Sequence, residues 1–306
     1  MPAQVRVFAP GSVGNVGPGF DILGLAIGGA GDTVLARKLP ELGVVITASG
    51  HPSLSVDPTK HTSGIAALEV LRRANAAFGL SLEVAKGLPL SGGQGGSAAS
   101  AVAGALAANL LLEEPLPEQA LLEAALEAEA VVAGRHADNV VAILLGGLVL
   151  VRSLEPLEVV RLPVPARLRV VLAHPDRAMP TRTGRAMLPA MIPRADAVYQ
   201  AAQVGALVAA AHSGDLALFG RAIQDRIAEP ARAPLLAGFS EAKAAALAAG
   251  ALGCSISGSG PTAFALVGDN ETGGAVALAM REAYTRAGIG CTTRLAAPDL
   301  EGARRL

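Results

Sequence analysis

A cluster of glycines that leads directly into an alanine-rich helix constrains this chain more than any other feature. Residues 89–100 read Pro-Leu-Ser-Gly-Gly-Gln-Gly-Gly-Ser-Ala-Ala-Ser. Glycine lets the backbone approach a ligand closely, and the first amides of a helix have no partner within it. The helix dipole also favours negative charge at this end. The segment therefore predicts an anion-binding loop, to which Ser97 and Ser100 can add hydroxyls; a flexible loop with a serine cap is the alternative.

Two familiar nucleotide loops do not fit this segment. A Walker loop requires Lys followed by Ser or Thr after its last glycine, and neither follows Gly96. A dinucleotide-binding loop is the first turn of a strand-helix-strand unit and needs an acidic residue on a following strand, which is not in place here. A different kind of ATP loop remains.

Hydrophobic periodicity predicts helices and short strands that are segregated along the chain, which favours an α+β fold. A soft boundary at residues 155–167 predicts two domains, 1–160 and 161–306. The predicted strands are 5–8, 44–47, 148–151, 157–162, 168–173, 251–256, 262–267 and 290–295. The predicted helices are 63–78, 97–112, 117–133, 195–213, 215–226, 240–249 and 272–287.

Composition excludes several classes of protein. The 306 residues carry a net charge of −1 and only 3% aromatic residues, which gives no footprint for nucleic acid. The longest apolar stretch, 140–151, is interrupted by two glycines and is shorter than the roughly 20 residues of a membrane-spanning helix. The N-terminus lacks the pattern of a signal peptide, and two cysteines are too few for a disulfide framework. We expect a cytoplasmic protein without a membrane or nucleic-acid partner.

The glycine loop resembles the phosphate-binding motif of GHMP kinases, Pro, three residues, then Gly-Leu-Gly-Ser-Ser-Ala. The chain departs from this motif at Gln94, where the family usually has leucine, and at Gly96, where it has the first serine. The resemblance implies ATP as the nucleotide and Ser97 as a Mg²⁺ ligand. It implies nucleotide binding by Pro89, Leu90, Ser91, Gly92, Gly93, Gln94, Gly95, Gly96, Ser97, Ala98 and Ser100.

Three more segments are similar to GHMP kinases, the first two of them in their homoserine kinase form. Residues 9–26 contain Asn15-Val-Gly-Pro-Gly-Phe-Asp21 and a Leu-Gly pair, which implies Asn15 and Asp21 as substrate contacts. Residues 129–147 imply Glu129 as the second Mg²⁺ ligand and Asn139 as a substrate contact in a His-x-Asp-Asn turn. Residues 253–264 resemble the last family motif, a tight loop that brings Gly258 and Gly260 to the phosphates.

The expected substrate is L-homoserine, whose carboxylate and ammonium call for Arg and Asp together. Arg185 and Arg232 lie in segments similar to the family's two substrate arginines. The candidate catalytic residues are Asn139, Asp138 and Arg185. Because an asparagine accepts a proton poorly, we expect direct attack of the hydroxyl on the γ-phosphate without a dedicated base.

The resemblance also implies the fold and the assembly. We expect an N-terminal domain like domain 2 of ribosomal protein S5, a ferredoxin-like α+β C-terminal domain, and a homodimer. Two other functions stay open at this point. One is a GHMP kinase for a different small alcohol, such as mevalonate, and the other is a non-catalytic ligand sensor.

Overall fold

A computed structural model describes residues 2–132 and 134–306, and within them seven strands form the first sheet. The strand order is β11-β1-β2-β4-β3, and β5 pairs with β2 and with β6. Only β3 and β4 pair in parallel; the other neighbours are antiparallel. The strands are β1 (Gln4–Gly14), β2 (Leu23–Leu39), β3 (Val44–Ala48), β4 (Gly79–Ala85), β5 (Leu148–Leu154), β6 (Leu157–Leu162) and β11 (Arg304–Arg305).

Four helices pack together with this sheet: α1 (Thr62–Arg73), α2 (Gly96–Asn109), α3 (Glu118–Val132) and α4 (Asp138–Leu145). Helix α2 is buried along almost its whole length, because its alanines let α1, α3 and the sheet approach it closely. A helix enclosed in this way has little freedom to shift. Its N-terminus and the glycine loop before it therefore start from a fixed point in the core.

The second sheet has the order β10-β7-β9-β8 and is antiparallel throughout. Its strands are β7 (Arg169–Pro175), β8 (Gly253–Ile256), β9 (Ala263–Val267) and β10 (Cys291–Ala296). Helices α9 (Phe239–Ala248) and α10 (Asn270–Arg286) pack against it. The remaining helices are α5 (Thr181–Ala186), α6 (Arg194–Ser213), α7 (Leu216–Arg221) and α8 (Ala228–Arg232).

The two sheets share a hydrophobic cluster. Leu23 and Leu25 of β2 pack there with Val170 of β7 and Phe264 of β9. After β10 the chain returns to the first sheet, where Pro298 bridges Ile27 and β11 pairs with β1. The two sheets are therefore connected by apolar packing and by the segment after β10, which pairs with the first sheet.

The structure confirms most of the predicted helices and strands, with several corrections. The strand predicted at 5–8 continues to Gly14, and the helix predicted at 97–112 ends at Asn109. The helix predicted at 215–226 ends at Arg221, because Asp225 accepts the backbone amides of residues 227, 228 and 229 and starts a new turn. The helix predicted at 63–78 ends at Arg73, since Asn75 takes a left-handed φ of 48°. The predicted turn at Asp138 and Asn139 is the first turn of α4. The predicted end of the third helix, Ala133, lies outside the described residues.

Candidate active site

The glycine loop lies at the junction of the two sheets, and four consecutive carbonyls of it accept hydrogen bonds from elsewhere. Ser91 O accepts from Met179 N at 3.2 Å, and Gly92 O accepts from Thr262 Oγ1. Gly93 O accepts from Ser257 Oγ at 2.6 Å, and Gln94 O accepts from Ser12 N at 3.1 Å.

A peptide group is planar, with its N–H directed opposite to its C=O. Holding the carbonyls of residues 91–94 against the protein therefore turns the amides of residues 92–95 the other way. Gly95, with a φ of 70°, is the N-cap of α2. The loop thus combines oriented amides with the positive end of a helix dipole, an arrangement that binds phosphate groups.

Glu129 of α3 faces the same loop. Its side chain is buried, and its Oε2 accepts from Ser97 Oγ at 3.1 Å. Its Oε1 is buried and has no hydrogen-bond partner among the described residues. Burial raises the pKa of Glu129 above its usual value, although His136 and Ser97 oppose the shift. Glu127, two residues earlier, is exposed and pairs with Arg135 at 2.6 Å.

Asp21, Arg185 and Arg232 form a charged cluster that lines the same cavity as the glycine loop. Arg185 of α5 and Asp21 form a bidentate pair, with both N–O distances at 2.8 Å. Arg232 of α8 is almost fully buried and donates to Gly184 O at 3.0 Å and to Gly258 O at 2.8 Å. Both guanidinium carbons lie 5.4 Å from the ring centroid of Phe20. Burial, and then the neighbouring charge of Arg185, lower the pKa of Arg232.

The first two residues of α4, Asp138 and Asn139, form a third part of the site. Asp138 Oδ2 accepts from the backbone N of Asn15 at 3.1 Å, and its Oδ1 lies 3.1 Å from His136 Nδ1. Asn139 Oδ1 accepts from Ser12 Oγ at 2.7 Å. Burial lowers the pKa of His136, but its hydrogen bond to Asp138 and nearby carboxylates outweigh this effect, and the pKa is raised overall.

A cavity of about 460 Å³ unites most of the predicted site residues. All the predicted substrate-binding, catalytic and metal-binding residues line it, as do most of the predicted nucleotide-binding residues. Gln94, Ala98 and Gly260 are not among its lining residues. Ala98 is buried within α2, and the side chain of Gln94 contacts Thr262. Ser100 donates to Asp32 Oδ2 at 2.7 Å and accepts from Lys86 Nζ at 2.9 Å.

Sequence reasoning missed several residues that shape the cavity. Lys86, which lines it, pairs with buried Asp32 and donates to Gly96 O at 2.7 Å. Thr62 donates to Ser97 O at 3.0 Å. Phe20 also lines the cavity, beside Arg185 and Arg232. Asp32 lies on β2 and Lys86 directly follows β4, so no local spacing in the sequence indicates that they form a pair.

Comparisons with known proteins agree with this geometry. The family model "GHMP kinases N terminal domain" matches residues 62–147, and "GHMP kinases C terminal" matches residues 206–286. The chain is 45% identical over 293 residues to homoserine kinase of Chlorobium phaeobacteroides, and the match covers 92% of both chains. The chain belongs to the GHMP kinase family.

Other relatives place this GHMP kinase among homoserine kinases. It is 43% identical to homoserine kinase of Arabidopsis thaliana over 93% of the chain and 80% of the relative. A crystal structure of homoserine kinase from Cytophaga hutchinsonii superposes with a TM-score of 0.96 at 43% identity, covering 100% and 98% of the two chains. L. major mevalonate kinase, at 18% identity and a TM-score of 0.72 over 97% and 98% of the chains, shares the fold. None of the described helices is long and apolar enough to cross a membrane.

Proposed function

We propose that this GHMP kinase transfers the γ-phosphate of ATP to the side-chain hydroxyl of L-homoserine, yielding O-phospho-L-homoserine for threonine biosynthesis. One observation carries the substrate assignment. A single cavity is lined both by Asp21, Arg185 and Arg232 and by the glycine loop with its oriented backbone amides. The curated relatives with 42–46% identity, named homoserine kinase, support the same assignment.

The charged cluster suits an amino acid better than another small alcohol. A carboxylate matches the fork of a guanidinium, and an ammonium matches a carboxylate. Asp21 and Arg185 already contact each other, so a bound amino acid can exchange this pair for its own two charged groups. Mevalonate has a carboxylate but no ammonium, and it would leave Asp21 without a partner. We assign Asn15 and Asn139 to the remaining polar groups of the substrate.

The residues around Ser97 fit Mg²⁺. Ser97 Oγ and Glu129 supply hard oxygen ligands, and Glu129 Oε1 is buried without a partner among the described residues, as a carboxylate reserved for a cation would be. When bound, the ion would neutralise charge that develops on the transferring phosphoryl group. We assign the nucleotide phosphates to the amides of the glycine loop and to Gly258.

The side chains of this site would act mainly by positioning. Phosphoryl transfer needs little covalent chemistry from the protein, so aligned groups and positive charge supply most of the rate. Asn139 is fixed by Ser12 and can orient a hydroxyl through its amide without accepting the proton. Arg185 and Arg232 hold the substrate carboxylate, and Asp138 holds the backbone of Asn15 and the ring of His136. We therefore propose direct attack without a dedicated base.

The test is ADP release from the purified protein with Mg-ATP. Parallel reactions would contain L-homoserine, L-serine, L-threonine, mevalonate or no acceptor. Release that depends on homoserine well above the others is the expected result. Release that depends on mevalonate would overturn the substrate assignment, and bound ATP without turnover on any acceptor would favour a ligand sensor.

Three further proposals rest on the family. We infer a homodimer and a cytoplasmic location, and we retain 1–160 and 161–306 as the two domains. Light scattering would test the dimer. Limited proteolysis that cuts first between residues 155 and 167 would support the domain division, whereas early cuts elsewhere would argue against it.

A further inference from the structure

Gln94 lies in the middle of the glycine loop, yet its side chain takes no part in lining the cavity. The residue is 7% exposed. Its Nε2 donates to Thr262 Oγ1 at 3.3 Å, and its Oε1 accepts from Arg294 Nη2 at 3.4 Å. A buried primary amide is costly to desolvate unless both ends have partners. The two contacts therefore tie the loop to β10 and to the turn that precedes β9.

Arg294 of β10 has an unusual set of partners. Its Nη1 donates to the carbonyl of Gly28 in β2, and its Nη2 donates to Gln94. No carboxylate lies within ion-pair distance of Arg294 among the described residues. Burial lowers the pKa of Arg294, but an arginine stays charged in proteins. The charge of Arg294 therefore has only neutral hydrogen-bond partners, and one of them is the side chain of Gln94 in the glycine loop.

We propose that Gln94 and Arg294 are positioning residues for the nucleotide, acting as one unit behind the phosphate-binding loop. This inference rests on the proposed binding of ATP by that loop. Gln94 is held at its carbonyl by Ser12 and at its side chain by Thr262 and Arg294. These three contacts fix the peptide whose N–H belongs to Gly95, the N-cap of α2.

The charge of Arg294 adds a second effect to this positioning. Because no carboxylate neutralises it, its field reaches the loop with little competition, and partly buried charges are screened less than exposed ones. A triphosphate on the other face of the loop would be attracted by it. Removing either side chain should therefore weaken nucleotide binding and leave the amino-acid end of the cavity unchanged.

The experiment compares Gln94→Leu, Arg294→Met and the double variant with the wild type. Calorimetry would give the Kd of Mg-ATP, and kinetics would give kcat and the KM of homoserine. We expect each single change to raise the Kd about tenfold, because a hydrogen bond to a charged group is lost. The double variant should bind no more weakly than the worse single variant, since the two residues form one unit. The KM of homoserine should change less than about twofold.

Arg304→Met is the matched control. Arg304 lies at the same surface cleft as Arg294, but it is paired with Asp299 and Glu301 and contacts Phe8. We expect its loss to leave the Kd of Mg-ATP unchanged. An equal rise in Arg304→Met and Arg294→Met would overturn the inference, as would additive losses in the double variant.

Arg294→Lys covers the case in which Arg294→Met does not fold. It keeps the charge but loses the planar fork, and we expect a Kd between those of the wild type and Gln94→Leu. Unchanged Mg-ATP binding in Gln94→Leu and Arg294→Lys, with a wild type that binds and turns over, would overturn this inference alone. A wild type that does not bind Mg-ATP would overturn the proposed function and this inference together.

Discussion

At the scale of single residues, Glu129 differs from its neighbour Glu127 in burial and in its partners. Glu129 is buried with one oxygen unpaired among the described residues, whereas Glu127 is exposed and pairs with Arg135. We expect Glu129→Gln to lower kcat by about 100-fold or more, because a proposed ligand of the ion that would neutralise the developing negative charge is lost. The Kd of homoserine should change little.

Glu127→Gln is the control for this change, and steady-state kinetics with homoserine calorimetry would compare the two variants. The Glu127 variant should resemble the wild type. An unchanged kcat in Glu129→Gln would exclude Glu129 as a ligand of the metal.

Asp138 tests whether a base is used. Its oxygens accept from Asn15 N and lie beside His136, which are contacts that an asparagine oxygen can partly replace. We expect Asp138→Asn to lower kcat by less than about tenfold, well short of the 10²–10⁴-fold that general bases contribute. Loss of nearly all turnover with intact homoserine binding would show that direct attack is wrong.

At the scale of elements, the junction between the glycine loop and α2 leaves no room at Gly95. A Cβ there would lie 2.2 Å from Ser12 Oγ, and the φ is 70°. Gly214, with a φ of 72° after α6, has open space around it. Gly95→Ala and Gly214→Ala therefore share the backbone strain, and only the first adds a clash.

We expect Gly214→Ala to cost about 1 kcal/mol of stability and Gly95→Ala about 1–3 kcal/mol more. Gly95→Ala should also weaken Mg-ATP binding, because the amides of the loop shift. Chemical denaturation and calorimetry would measure both effects. Equal losses of stability in the two variants would mean that the junction accommodates the added Cβ at Gly95 without further loss of stability.

Elements with a strong local signal were predictable from the sequence, and contacts between distant elements were not. The glycines before α2 and the alanines within it predicted both the loop and the helix, and the structure adds that the helix is buried. Strand β2 was missed because Gly24, Gly28, Gly29 and Gly31 interrupt its apolar pattern. The contacts of Gln94 with Thr262 and Arg294 span 168 and 200 residues, so they depend on the tertiary fold.

The predicted site shows the same division. Its residues came from motif resemblance, while the burial of Glu129 and the pairing of Asp21 with Arg185 emerge only when α3 and α5 pack around the cavity. Their roles remain predictions until the variants above are measured.

At the scale of the whole molecule, the chain after β10 packs against α4 and pairs with β1 of the first sheet. Gly302 has a φ of 73°, and a Cβ there would lie 2.4 Å from Leu144 O at the end of α4. Gly288 has the same φ with open space around it. We expect Gly302→Ala to lower the free energy of unfolding by about 1–3 kcal/mol more than Gly288→Ala. Urea denaturation would measure the difference, and equal losses would show that this contact does not stabilise the first sheet.

The return of the chain to β1 also sets an order of events during synthesis. Val7 pairs with Arg305, so two residues almost 300 positions apart must meet before the first sheet gains its last strand. Folding of such distant contacts is slow, and domains form as their residues leave the ribosome. The edge of β1 that pairs with β11 therefore remains unpaired until residue 305 has been synthesised. This GHMP kinase completes its first sheet only after residue 305 has been synthesised, so until then the edge of β1 is open to pairing with other chains.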